Sequence, residues 1–444
     1  MTPLARGGFF FAIALLSVGC DHSSRTLKMR TALDAWQPAV AIKELDKELG
    51  VKNDRERPKK LDGDKAILVL DRATLQQALT QYELSEGDYQ AADKAIDMLD
   101  LSHNAGDSIG KYIFSDSVGR YVAPPYEKLL INTLNILNYL ELNDLSGARV
   151  EARRLAIMHK YYKDRLHQNN AAMGLGGLLA GFVFEQSGDA NEALHYYDDA
   201  LATGSYPALS ESIARAMMNG SYETPRLRAA AASAPANASG DSGELLLVIG
   251  YGRVPHKIAE RMPIGLALTA VSGSIHPSNV SAANKLAAQG LVTWVNFPTL
   301  APAPPGGYGT ASATVDGAVV NTSDVADLAG EARREWKTVE AATIVSAITR
   351  LVTRYAAGEA ARAAAGSNEL IGVLASLATQ GILTALDTPD TRSWETLPAR
   401  VSVARITVPA GRRRVVLSAR GVTRTQEVDI QKNGWGVVTL MALR

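Results

Sequence analysis

Two periodicities divide this chain. From about residue 25 to residue 225 apolar positions recur every three to four residues, the spacing of helices that bury one face. Past residue 243 the spacing shortens. Residues 245–249 and 291–297 read as apolar strands, the second closed by Pro298, and 311–315 and 318–321 flank Asp316-Gly317, a hairpin signal. Two helices are expected next, near 324–357 and 368–386. The first carries one apolar stripe, Ala341, Ile344, Ile348, Leu351 and Tyr355. The second has no charge between 370 and 386. At about 1.5 Å of rise per residue it falls short of ~30 Å of hydrocarbon, and Ser376, Thr379, Gln380 and Thr384 interrupt it. It therefore reads as a buried core helix, with membrane insertion as the minority reading. Strand candidates at 401–408, 413–419, 425–430 and 437–442 close the chain and predict a small antiparallel sheet. The expected fold class is α+β: an irregular helical domain at 20–228, a linker rich in Ala, Pro, Ser, Asn and Gly at 229–243, and an α+β domain at 244–444 with a helical hairpin and C-terminal antiparallel strands.

A motif recurs in the helical half. Gly87-Asp88-Tyr89 precedes Ala92 and Ile96; Asn143-Asp144-Leu145 precedes Ala148 and Ala152; Gly188-Asp189-Ala190 precedes Ala193 and Tyr197. A weaker copy is Asp34-Ala35-Trp36 with Ala39. Each reads as a turn residue and an aspartate ahead of a helix whose alanine lets a neighbour approach. This resembles the turn inside a tetratricopeptide repeat. The copies are unevenly spaced, so the array is irregular, and a polar, aromatic insertion covers 102–125. Stacked helix pairs leave a concave groove that holds a peptide or a partner's helix. Asn132, Asn135 and Asn138 share one side of a helix, with Leu130, Leu134 and Leu137 on another. Their amides suit a peptide backbone lying in the groove, although a plain solvated face is the first reading.

The first residues carry an address. Arg6 precedes an apolar run at 9–16, the length of a signal-peptide core and too short to span a bilayer. Ser17, Val18 and Gly19 lead into Cys20, the only cysteine. The arrangement looks like a bacterial lipobox, with Ser17 in the place usually held by leucine. Residues 1–19 are then a signal peptide and Cys20 the lipidation site; the alternative is an ordinary secretory signal. The mature protein is expected on a bacterial membrane, facing the periplasm, with inner and outer membrane both open.

Charge narrows the partners. Lys plus Arg and Asp plus Glu both number 46, which argues against nucleic acid. The end is locally basic. Arg412, Arg413 and Arg414 are candidate anion or partner contacts, set against a solvated basic edge that deters strand aggregation. Catalytic patterns fail on context. Gly106-Asp107-Ser108-Ile109-Gly110 matches a nucleophile elbow, and Ser108 with Lys111 matches a serine–lysine pair, but the preceding segment reads as helix and no Lys-Thr-Gly follows, Lys337-Thr338-Val339 being nearest. Gly250-x-Gly252 lacks the third glycine of a dinucleotide loop and meets Pro255 instead. The scattered histidines give no metal spacing, so neither metal nor cofactor is expected.

Several stretches together resemble an uncharacterised family of bacterial tetratricopeptide-containing lipoproteins: 64–97, 126–154, Gly250 through Lys257, Val295-Asn296-Phe297-Pro298, and Asp390-Thr391-Arg392-Ser393-Trp394-Glu395-Thr396-Leu397-Pro398 leading to Pro409-Ala410-Gly411. The resemblance implies envelope assembly as the setting and carries no established activity. The expected protein is a lipid-anchored scaffold or assembly factor with a protein or peptide partner, not an enzyme. The alternative is an envelope hydrolase whose site lies in the C-terminal half. Trp394, just ahead of Leu397-Pro398, is expected to plug the corner between the uncharged helix and the last strands, or else to belong to a ligand site with Asp390 and Arg392.

Overall fold

The computed structural model describes residues 21–96, 121–166, 170–234, 241–288, 294–364 and 388–444. The expected signal peptide, Cys20, the Ser108 motifs and the uncharged segment 370–386 lie outside the described residues. The chain is α+β. Helices α1 (His22–Arg25), α2 (Leu27–Asp34), α3 (Pro38–Leu49), α4 (Lys65–Ala78), α5 (Tyr82–Ala95), α6 (Pro125–Glu141), α7 (Leu145–Leu166), α8 (Ala171–Gln186) and α9 (Ala190–Leu201) follow one another, then α10 (Ser210–Asn219) and α11 (Pro225–Ala232).

One turn chemistry folds these helices into hairpins. Trp36, Thr80, Asn143 and Gly188 all adopt positive φ, at 50°, 59°, 56° and 79°. In each case the next N–H reaches back five residues to a helix carbonyl: Gln37 to Ala32 at 2.8 Å, Gln81 to Gln76 at 2.8 Å, Asp144 to Tyr139 at 2.8 Å and Asp189 to Phe184 at 2.9 Å. This left-handed cap satisfies carbonyls that a helix end would otherwise strand. The expected turn at Gly87-Asp88 is corrected by it. Gly87 and Asp88 lie inside α5, and the turn stands at Thr80. Gly87 lies under the Arg57 guanidinium, which a Cβ there would push aside. Asp88 is a buried clamp on Arg57, at 2.6 Å, and on Arg72, at 2.7 Å. Sequence spacing does not separate a clamp from a turn.

Helix α8, AAMGLGGLLAGFVFEQ, is apolar all round and buried all round. Two of its glycines, Gly177 and Gly181, face α9. A Cβ at Gly181 would sit 2.4 Å from the Tyr197 ring, and one at Gly177 would sit 2.9 Å from the Tyr196 carbonyl.

The strands form two four-stranded sheets and a two-stranded hairpin. Strand β1 (Ser242–Tyr251) pairs parallel with β10 (Trp435–Ala442) and antiparallel with β7 (Arg400–Pro409), which continues to β6 (Ser323–Asp327). In the second sheet β8 (Gly411–Ala419) lies between β4 (Ala311–Val315) and β9 (Val422–Ile430), with β5 (Ala318–Val320) outermost. The closing strands are therefore shared between two sheets and do not make one small antiparallel sheet. The unbroken apolar run of β1 is the cause. Leu245, Leu247 and Ile249 pack into the sandwich between the sheets, while Leu246 and Val248 pack on the helices.

The layers are thus helices, sheet, sheet. One apolar core runs from Met29 in α2 through Leu178 in α8 to Leu246, Val403 and Met441 in the first sheet. Of the stretch 229–243 expected as linker, Ala229 to Ala232 complete α11, Ser242 and Gly243 open β1, and 235–240 lie outside the described residues. A satellite core joins β2 (Lys257–Pro263), β3 (Trp294–Leu300), α12 (Ile264–Ala270) and α13 (Pro277–Ala288) to the 37-residue α14 (Leu328–Ala364) through Ile264, Phe297, Ile344 and Ile348. Helix α14 starts later than expected because residues 323–327 first pair with β7. Among the described residues no helix is long and apolar enough to cross a membrane.

Candidate functional site

The segment between the end of the helical layers and β7 is the most unusual part of the molecule. Residues 391–399 are all buried, yet they form no regular element. An irregular backbone in the interior must find polar partners, because unpaired buried N–H groups are costly. Here side chains of the helical half supply them. The Trp394 N–H donates to Glu127 Oε1 in α6 at 3.2 Å, and the Thr396 N–H donates to Asp71 Oδ1 in α4 at 2.9 Å. Thr396 Oγ1 donates to the same carboxylate at 2.9 Å. On the other side the Lys257 N–H donates to Ser393 Oγ at 3.1 Å, and the Val254 N–H to the Leu397 carbonyl at 3.0 Å.

Trp394 is fully buried. Its Nε1–H donates to Thr74 Oγ1 at 3.0 Å, and its ring lies 5.9 Å from that of Tyr89. The aromatic is a plug, but the described surfaces it fills are α4 and α5 of the helical half.

Charges ring this segment. Arg30 donates to both oxygens of Glu395, at 2.7 and 2.9 Å. Arg392 holds Asp390 at 2.7 Å and lies over the Tyr121 ring at 5.7 Å. Asp64 takes His22 at 3.2 Å and Arg25 at 2.8 Å. Tyr121 and Tyr126 donate to Glu127 at 2.5 and 3.3 Å. Burial dominates the protonation of Asp71, Glu127 and Glu335. It pushes Asp71 well above the usual carboxylate range, with Glu395 adding repulsion, and raises Glu127. Burial and then the neighbouring Glu127 and Glu331 lift Glu335 to about 8. Burial also draws Lys257 down. It works to lower His22 as well, but the bond to Asp64 and the field of Glu395 outweigh it and hold the imidazole up. Asp71 Oδ2 and His22 Nε2 are buried with no hydrogen-bond partner. Among the described residues no cluster of His, Cys, Asp and Glu is arranged to hold a metal ion.

An open concavity lies elsewhere. A cleft of about 690 Å³ runs between the helical layer and the end of the first sheet. Glu185, Glu211, Arg215 and Glu244 line it, with Met218 and Asn219 at its mouth. Arg215 bridges Glu185 at 3.0 Å, Glu211 at 3.1 Å and also Glu244, while Arg405 joins Glu185 and Glu244 from behind. Gly243 and Gly434 form part of the wall; a Cβ on Gly243 would meet the Gly434 carbonyl at 2.7 Å.

The asparagine ladder is a correction. Asn132, Asn135 and Asn138 line no groove and no solvated face; they are buried between α5, α6 and α7. Asn132 and Asn135 donate to Glu151 at 2.6 and 3.3 Å; Asn138 donates to Ser85 at 2.9 Å and accepts from Gln77 at 2.8 Å. Polar residues at helical spacing look alike whether they face water or a buried polar seam. Arg412, Arg413 and Arg414 lie within β8. Arg412 pairs with Glu427 at 2.6 Å, Arg413 with Asp316 at 2.9 Å, and Arg414 is exposed. Gly252, at φ 65°, is a tight corner packed on Tyr308.

Glu127, Glu335, Lys257 and His22 gave no sequence signal. Asp71-Arg72 gave one: a charged pair inside the apolar run of α4. No known family, curated protein or solved structure matches this chain.

Proposed function

We propose that the protein is a lipid-anchored, periplasm-facing binding factor of the bacterial envelope, with a tetratricopeptide-like helical layer, acting as a scaffold in cell-wall assembly. The observation that carries this reading is the contrast between the two polar regions. The groups around residues 391–399 are largely spent on one another and fasten the two halves together. The cleft at Glu211 and Met218 is open, has room for several side chains, and sets an exposed methionine beside the paired Glu211 and Arg215. A peptide segment carrying an apolar side chain among polar ones suits it.

A photocrosslinking residue at Met218 tests the reading in intact cells, with Val319, on the outermost strand of the second sheet, as the control position. Discrete adducts are expected from position 218 alone, and Asn219→Trp, which fills the mouth, should remove them. Adducts equal at both positions, or none at 218, refute it. A second reading, an envelope hydrolase with its site in the C-terminal half, draws on Glu335, held near 8 beside Glu127 and Lys257. It requires turnover of ester or peptide substrates that Glu335→Gln abolishes while the protein stays folded.

A further inference from the structure

We infer that the lipid anchor has no slack, and that the exposed face of the α2–α3 hairpin lies flat on an anionic bilayer. The inference rests on Cys20 being the lipidated residue and on how tightly its neighbour is held. Asp21, one peptide bond beyond Cys20, is already fixed to the body of the protein. Its carboxylate accepts from the Ser24 N–H at 3.2 Å, from Ser23 Oγ at 2.7 Å and from Thr391 Oγ1 at 3.1 Å, across 370 positions of sequence. The Ser23 N–H donates to the same Thr391 hydroxyl at 3.1 Å, and Arg30 holds the Ser23 carbonyl at 2.5 Å. His22 is buried against Asp64. Adjacent Cα atoms are about 3.8 Å apart, so the sequence leaves a single peptide unit between the lipidation position and this clamp.

The surface beside the clamp matches a charged membrane. Helices α2 and α3 bury Met29, Leu33, Ile42 and Leu45 and turn the opposite faces outward. That outer face carries Leu27 and Val40, 56% and 43% exposed, with Lys28, Lys43 and Lys47 exposed around them. The acids on the hairpin are answered locally: Glu44 by Lys47, Glu48 by Arg25 at 2.9 Å, and Asp34 by Arg253. Lys28 and Lys43 make no ion pair among the described residues. Two cations and two apolar side chains beside an acyl anchor form the second signal that stable attachment to a bilayer surface calls for.

The test uses the full lipidated protein in vesicles of phosphatidylethanolamine and phosphatidylglycerol. Lipidation consumes the only native thiol, so Val40→Cys and Val319→Cys each offer one labelling position. With a nitroxide quencher on the lipid headgroups, a fluorophore at 40 should be quenched several-fold more than one at 319. Lys28→Glu with Lys43→Glu should bring position 40 toward the level of 319, and so should a flexible Gly-Ser insert between Cys20 and Asp21. Equal quenching at 40 and 319, in protein whose N-terminal peptide carries the acyl mass, overturns the inference and leaves the anchor standing. An N-terminal peptide without acyl mass removes the anchor and this inference with it.

Discussion

Trp394→Ala measures how firmly the buried irregular segment holds the molecule together. The indole has no exposed surface and meets α4 and α5. Truncating a buried tryptophan costs about 3–5 kcal/mol, the spread reflecting how far the cavity collapses. Collapse is poor here, because the walls are helices already packed on other helices. The tilted contact with Tyr89 belongs to a class worth ~0.5–1.5 kcal/mol, and the bond to Thr74 to one worth about 1 kcal/mol. Thr74 Oγ1 keeps the Leu70 carbonyl at 3.1 Å and the Tyr89 hydroxyl at 3.1 Å, so the truncation strands no polar atom. The expected loss is therefore near the middle of the range, about 4 kcal/mol, and Trp394→Phe should lose only ~1–2 kcal/mol. Urea unfolding followed by far-ultraviolet dichroism reads both. The cycle with Tyr89→Leu should return a coupling of about 1 kcal/mol. A loss below ~1 kcal/mol for the alanine variant with an unchanged denaturant slope would refute the reasoning, since no fully buried indole between rigid helices is that dispensable.

Other expectations rest on the same contacts. Glu335 is raised from the 4.5 ordinary for glutamate to about 8, so the folded state holds a proton that the unfolded state releases, and this residue's contribution falls as pH rises between those values. Glu335→Gln should flatten that slope, matching wild type near pH 4.5 and gaining most at pH 8 and above in a stability–pH series; an unchanged slope would contradict it. Asp88→Ala leaves buried Arg72 with Asp46 as its remaining carboxylate partner, at 2.7 Å, and should cost on the order of 3–5 kcal/mol in thermal or urea unfolding. Because the helices and the first sheet share one core, a protease site engineered at 235–240 should give a nicked protein whose fragments co-elute in size exclusion without denaturant. Separation into two peaks would show that the halves stand alone.

The α+β class, the helical first half, the hairpin at Asp316-Gly317 and the closing strands were legible in the sequence, because each rests on local rules: helical spacing, strand alternation and turn chemistry. The left-handed turns at Asn143 and Gly188 were legible for the same reason. Thr80 was not, since threonine carries no turn signal of its own and Gly87-Asp88 offered a better imitation. Tertiary structure alone decided the partners. The sequence marks Asn132, Asn135 and Asn138 as polar, but only Glu151, Ser85 and Gln77, brought in from other helices, make that polarity an interior one. It shows residues 390–398 as a distinctive run, but not that Asp71 and Glu127, more than 260 positions earlier, serve as its hydrogen-bond acceptors. Nor does it show that Asp21 is tied to Thr391. Local propensity acts over a few residues and can be read along the chain. Burial of a charge or an amide depends on which distant segment arrives to cover it, and that is fixed only when the whole core closes.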